Sequence, residues 1–118
     1  MNALASVFPS ELKPQATAQE LKSRLDWGEP ALTIIDVRDR ADFNETRIQG
    51  SISMPLVALT TAIEGSLEKE RDIYIYGDSD AVTAEAANQL RTAGYQRVAQ
   101  LRGGLPAWKA ARYPVEGV

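Results

Sequence analysis

Two apolar runs set the limits on the fold: ALTIIDV at residues 31–37 and DIYIY at Asp72–Tyr76. Both are rich in β-branched or aromatic residues, and neither alternates apolar with polar positions. Both are too short for a buried helix, so each reads as a strand covered on both faces. A sheet of such strands needs helices on both sides, and the sequence between the runs carries helical patterns.

Residues 1–14 read as an N-terminal arm, with Pro9 and Pro14 breaking any helix up to residue 16, and residues 15–118 as one domain. Thr17 and Glu20 have capping-box spacing ahead of Leu21 and Leu25, which predicts a helix. Asp26 to Pro30 reads as a turn. After the first strand, residues 38–47 predict a short surface helix, 51–54 a brief strand, and 56–63 another short helix ending near Gly65. After DIYIY comes a polar loop, GDSDA, at residues 77–81. Val82, Ala86, Leu90 and Ala93 then fall on one helical face, with Gly94 as a stop. Val98–Leu101 predicts a third strand, Gly103-Gly104 a break, and residues 105–112 a last helix carrying Trp108. The expected architecture is α/β: three layers, with a mainly parallel sheet of about five short strands and helices on both faces.

Composition narrows the chemistry. There is no Cys and no His, and the net charge is −3. A thiolate nucleophile, an imidazole base and the usual zinc or iron–sulfur ligand sets are therefore excluded. The acidic balance argues against nucleic acid, and no apolar run reaches the ~18 residues of a membrane span. The first residues lack a basic segment followed by an apolar one, which points to a cytoplasmic protein. No cofactor and no metal are expected. Asp78 and Asp80 could open a calcium loop, but Val82 and Gln89 fail at its fifth and twelfth positions.

In a parallel sheet the sites lie at the carboxyl ends of strands. Here these ends carry Asp36-Val37-Arg38 and the loop Gly77, Asp78, Ser79, Asp80, Ala81, Val82, Thr83. Three ordered blocks, IIDVRDRADFNETRIQGSISMPL (34–56), DIYIYGDSDAVTAEAANQLRTAGY (72–95) and VAQLRGGLPAWKA (98–110), resemble the rhodanese-like family. The resemblance covers about residues 15–115. It implies a sulfurtransferase scaffold whose loop starts with a nucleophilic Cys, and that position is Gly77 here. The family's loop Gly falls at Asp80 and its Arg at Val82, while its Ser/Thr is kept as Thr83. The usual His and Pro of the first block are Arg47 and Gln49. The scaffold is matched and the catalytic apparatus is not.

The expectation is a catalytically inactive domain that binds a protein partner or small ligand through the loop face, as an interaction, regulatory or ligand-sensing module. Candidate binding residues are Asp36, Arg38, Asp78, Asp80 and Arg102. The alternative is a non-classical small-molecule site or enzyme of sulfur metabolism. There Gly77 leaves a cavity and Asp78 or Asp80 serves as acid, base or cation ligand. Each candidate also has a structural reading. Asp80 is an N-cap, Asp36 and Arg38 brace the strand end, and Arg47 and Arg102 are solvated charges. Gly103 and Gly104 are backbone devices, and Trp27 and Trp108 are packing residues and not ligand platforms. Tyr74 and Tyr76 face away from Ile73 and Ile75.

Overall fold

The computed structural model describes residues 12–28 and 31–118. Most of the arm expected at residues 1–14, including Pro9, lies outside the described residues, as does Pro30 of the expected turn. The elements run β1 (Gln15–Ala16), α1 (Ala18–Asp26), β2 (Leu32–Asp36), α2 (Arg40–Glu45), β3 (Arg47–Ile48) and β4 (Ile52–Ser53). After a 3-10 turn at Leu56–Ala58 come α3 (Leu59–Glu64), β5 (Asp72–Tyr76), α4 (Asp80–Thr92), β6 (Val98–Leu101), α5 (Gly104–Ala110) and β7 (Val115–Glu116).

Five strands form one sheet in the order β1-β6-β5-β2-β4, every pair parallel. The period-two side-chain alternation of β5 assigns its residues to two cores. Ile73 and Ile75 pack with Ile35, Leu59, Ile63, Ala86 and Leu90, so α3 and α4 cover that face. Tyr74 and Tyr76 pack with Leu21, Ile48, Leu105 and Trp108, so α1 and α5 cover the other. All five residues of β5 are buried, as a central strand of a two-sided sheet must be. The α/β three-layer expectation is met.

Local chemistry explains the element ends. At α1, the Thr17 hydroxyl accepts from Glu20 N and the Glu20 carboxylate accepts from Thr17 N, which closes the capping box. Gly94 ends α4 with φ +101°, a conformation that favours glycine. Several expectations need correction. Gln15–Ala16, where no strand is expected from the sequence, is an edge strand of the sheet; Gln100 N donates to Pro14 O at 2.9 Å. The surface helix spans only Arg40–Glu45. Beyond it, Arg47–Ile48 pairs antiparallel with Val115–Glu116, a two-stranded sheet not anticipated from the sequence. Arg47 is not simply solvated, since it donates to Phe43 O and pairs with Glu116. The helix expected at 105–112 stops at Ala110. Trp108 is buried and donates to Pro114 O at 2.7 Å, but Trp27 is 80% exposed and packs in no core. Among the described residues no helix is long and apolar enough to cross a membrane.

Candidate functional site

The carboxyl ends of β2 and β5 lie side by side, with Asp36 in register with Tyr76. Val37 N continues the ladder by donating to Tyr76 O at 2.9 Å. This juxtaposition sets Asp36-Val37-Arg38 against the loop that leads into α4.

Asp36 is fully buried and holds Arg38 on two sides. Its carboxylate accepts from Arg38 N at 2.9 Å, from Nε at 3.1 Å and from Nη2 at 2.7 Å. The same guanidinium donates to Thr46 O at 2.6 Å and lies 5.8 Å from the Tyr76 ring centre. Burial works against the Arg38 charge, but the hydrogen bonds from its side chain to Asp36 outweigh it and hold the pKa above its ordinary value. These contacts tie β2 to the segment after α2. The Arg38 side chain is 10% exposed and engaged with protein acceptors.

Hydrogen bonds within the loop fix its shape. The Thr83 hydroxyl accepts from Gly77 N at 2.8 Å and donates to Ser79 O at 2.9 Å. Thr83 is buried, so this side chain staples the start of the loop to the first turn of α4. The N-cap is Ser79, whose hydroxyl accepts from Val82 N at 3.2 Å. Asp80 is therefore not the cap expected from sequence. It stands one residue later, and its Oδ1 accepts from Gly103 N at 3.0 Å. That bond joins the loop to the corner before α5 and places Arg102 next to it. Arg102 and Asp78 are exposed.

Glycine is needed at that corner. Gly103 has φ +76°, and a Cβ there would come 2.6 Å from Ala107 Cβ. Gly104 has φ +50°, and a Cβ there would stand 3.3 Å from Gly77 O. The two glycines let the start of α5 abut the loop backbone.

Gly77 differs from these. It is buried and its φ is not left-handed, so its backbone tolerates a side chain. The space does not. A Cβ would meet Val37 Cγ2 at 3.0 Å, Val82 Cγ1 at 3.1 Å and Thr83 Oγ1 at 3.5 Å. The expected cavity at Gly77 is thus absent, because two valine methyl groups fill it. Val82, which stands where the resemblance places the loop's cation, closes the site with hydrocarbon. Sequence reasoning singled out the acids and missed Val37 and Val82 as the plug. The one available signal was Val82 itself, a β-branched apolar residue in the first turn of a helix beside a glycine. Among the described residues no three carboxylates group as a metal cage.

Comparison with known proteins agrees with this architecture. Residues 17–111 match the Rhodanese-like domain family. A "Sulfurtransferase" of Allochromatium vinosum is 31% identical over 98 residues, spanning 83% of this chain and 90% of that protein. The "Probable adenylyltransferase/sulfurtransferase MoeZ" of Mycobacterium tuberculosis is 32% identical over 100 residues, and the match spans 83% of this chain but 25% of MoeZ. The solution structure of the rhodanese-like domain of the Alr3790 protein from Anabaena sp. superposes with a TM-score of 0.87 at 52% identity, over 91% of this chain and 81% of that one. The chain belongs to the rhodanese-like domain family, as a homologue of sulfurtransferases that contains no cysteine.

Proposed function

We propose that this domain is catalytically inert toward sulfur transfer and works as an interaction or regulatory module through its loop face. The observation that carries the reading is Gly77: no side chain stands at the nucleophile position, and Val37 and Val82 fill the space one would use. A sulfane sulfur held as a cysteine persulfide needs a thiol, and the chain has none. An oxygen nucleophile would need a nearby base, and the loop carboxylates are placed otherwise: Asp80 is bonded to Gly103 N and Asp78 is exposed. What the loop face offers is a rigid relief with two acids, Asp78 and Asp80, beside the exposed Arg102. Such a surface suits recognition by a partner with complementary charge.

The test compares immobilised wild-type chain with the Asp78→Lys variant, incubated in a lysate of the source organism and read by quantitative mass spectrometry. Asp78 is exposed, so the substitution leaves the fold intact. The reading predicts at least one protein retained by the wild type and lost from the variant. Identical retention on both surfaces contradicts a role for the loop face.

A further inference from the structure

The amino ends of β2 and β5, at the far end of the sheet from the loop, gather more positive charge than the fold pairs off. Asp72 is buried at the start of β5, in register with Leu32. Its carboxylate accepts from Arg97 and lies 2.7 Å from Arg24 Nη2, so one negative charge faces two guanidiniums. Arg71, the half-buried residue before it, brings a third. Its Nε donates to the Thr33 hydroxyl and its Nη2 to Leu32 O, both at 2.9 Å. Those acceptors are neutral, and among the described residues Arg71 has no carboxylate partner. A cation this far out of water is ordinarily paired. Only one edge of the guanidinium is used. Nη1 and the second Nη2 hydrogen remain, two parallel donors that match the two oxygens of a carboxylate.

Arg71 and Arg24 line a cleft of about 440 Å³, together with Leu67, Glu68 and Glu70. Glu68 and Glu70 are exposed, and their carboxylates make no bond with a described residue. We propose that this cleft binds a small zwitterion, an amino acid, whose carboxylate takes the open edge of Arg71 and whose ammonium sits by Glu68 and Glu70. Two independent features select that class. The half-buried guanidinium without an acid partner calls for an anion with two oxygens. The two acids beside it disfavour a phosphate or any polyanion and favour a molecule that also carries a positive charge. A simple carboxylate leaves the glutamates unanswered, and a simple amine leaves Arg71 so. The cleft has room for the backbone of an amino acid and a side chain as well. The site lies at the other end of β5 from Gly77 and does not depend on the loop-face reading.

The probes are the standard L-amino acids, each titrated singly into the isotope-labelled full chain and read by backbone amide chemical shifts. At least one is expected to give saturable shifts centred on residues 66–72. The same acid without its amine, and the same amine without its carboxylate, are expected to bind about tenfold or more weaker, as the loss of a charge-assisted pair requires. Arg71→Gln is expected to weaken binding by a similar factor. Arg71→Lys, which keeps the charge and loses the fork, should weaken it too. The double variant Glu68→Gln with Glu70→Gln changes exposed side chains only, and it should bind the amino acid no better than the amine-free acid. That variant decides the matter if Arg71→Gln does not fold. No saturable shift with any amino acid at about 10 mM overturns the proposal. Tighter binding of inorganic phosphate or of the amine-free acid overturns it as well, as do shifts that survive Arg71→Gln or centre on residues 77–83.

Discussion

Adding a single methyl group at Gly77 tests whether the nucleophile position is closed. At a backbone that accepts alanine, Gly→Ala normally stabilises by ~0.4–1 kcal/mol, because the unfolded chain loses freedom. Gly77 has such a backbone. The added Cβ, however, meets Val37 Cγ2 at 3.0 Å and Val82 Cγ1 at 3.1 Å. Overfilling a packed interior costs about 1–3 kcal/mol. Val37 is 3% exposed and locked in the core, while Val82 is half-buried and has somewhere to move. Val37, the nearer contact, cannot yield while Val82 can, which places the strain near the middle of the range, about 2 kcal/mol. Gly77→Ala is then expected to destabilise by about 1 kcal/mol net, roughly 3–5 °C in Tm for a chain of this length. Val82→Ala removes the half of the obstruction that can be removed without opening the core. In that background Gly77→Ala is expected to be neutral or stabilising, a coupling of about 1 kcal/mol between the two sites. Urea unfolding of the four proteins reads the cycle. If Gly77→Ala stabilises the wild type, or has the same effect in both backgrounds, the two valines do not close the site. The same geometry predicts that Gly77→Cys yields no appreciable sulfurtransferase, since the thiol meets hydrocarbon where cationic help is needed.

Two further outcomes follow from buried polar contacts. Asp72, at the start of β5, is bonded by Arg97 and Arg24. Burial pushes its carboxyl pKa up, but the two arginines outweigh this and hold it below the ordinary value. The unfolded chain therefore binds more protons in acid. The stabilisation is complete above the ordinary carboxyl value of about 4 and is lost as pH falls through the lowered folded value. Asp72→Asn is expected to lose about 1–3 kcal/mol at neutral pH, and the gap to wild type should narrow below pH ~4 in acid-denaturation curves. Thr83→Val keeps the shape but removes the acceptor of Gly77 N and the donor to Ser79 O, so a loss of about 1–3 kcal/mol is expected. Faster amide exchange at Gly77 should accompany it; unchanged exchange there would show that the staple does not hold the loop.

Features set by local sequence were the legible ones. The runs that became β2, β5 and β6, the Thr17–Glu20 capping box and the Gly94 stop all act within a few residues of themselves. The two-residue strands β1, β3 and β7 carry no such signal, because their pairing is decided by residues far along the chain: Gln15 with Gln100, and Ile48 with Val115. The site divides the same way. Asp36 and Arg38 are two residues apart, and their pairing was among the structural readings of the sequence. The Asp80 contact spans 23 residues to Gly103, so sequence alone favoured the local cap that Ser79 in fact provides. Trp27, read from sequence as a packing residue, follows the last turn of α1 and is 80% exposed.

The central claim is that a sulfurtransferase scaffold here has no cysteine nucleophile, and that two valine methyl groups crowd the position where one would stand. The most direct measurement is thiocyanate formation from thiosulfate and cyanide by the purified chain, set beside a cysteine-containing member of the family under the same conditions. The account predicts a rate equal to the protein-free blank for this chain at every thiosulfate concentration. Saturable thiocyanate formation that scales with the concentration of this chain would contradict it.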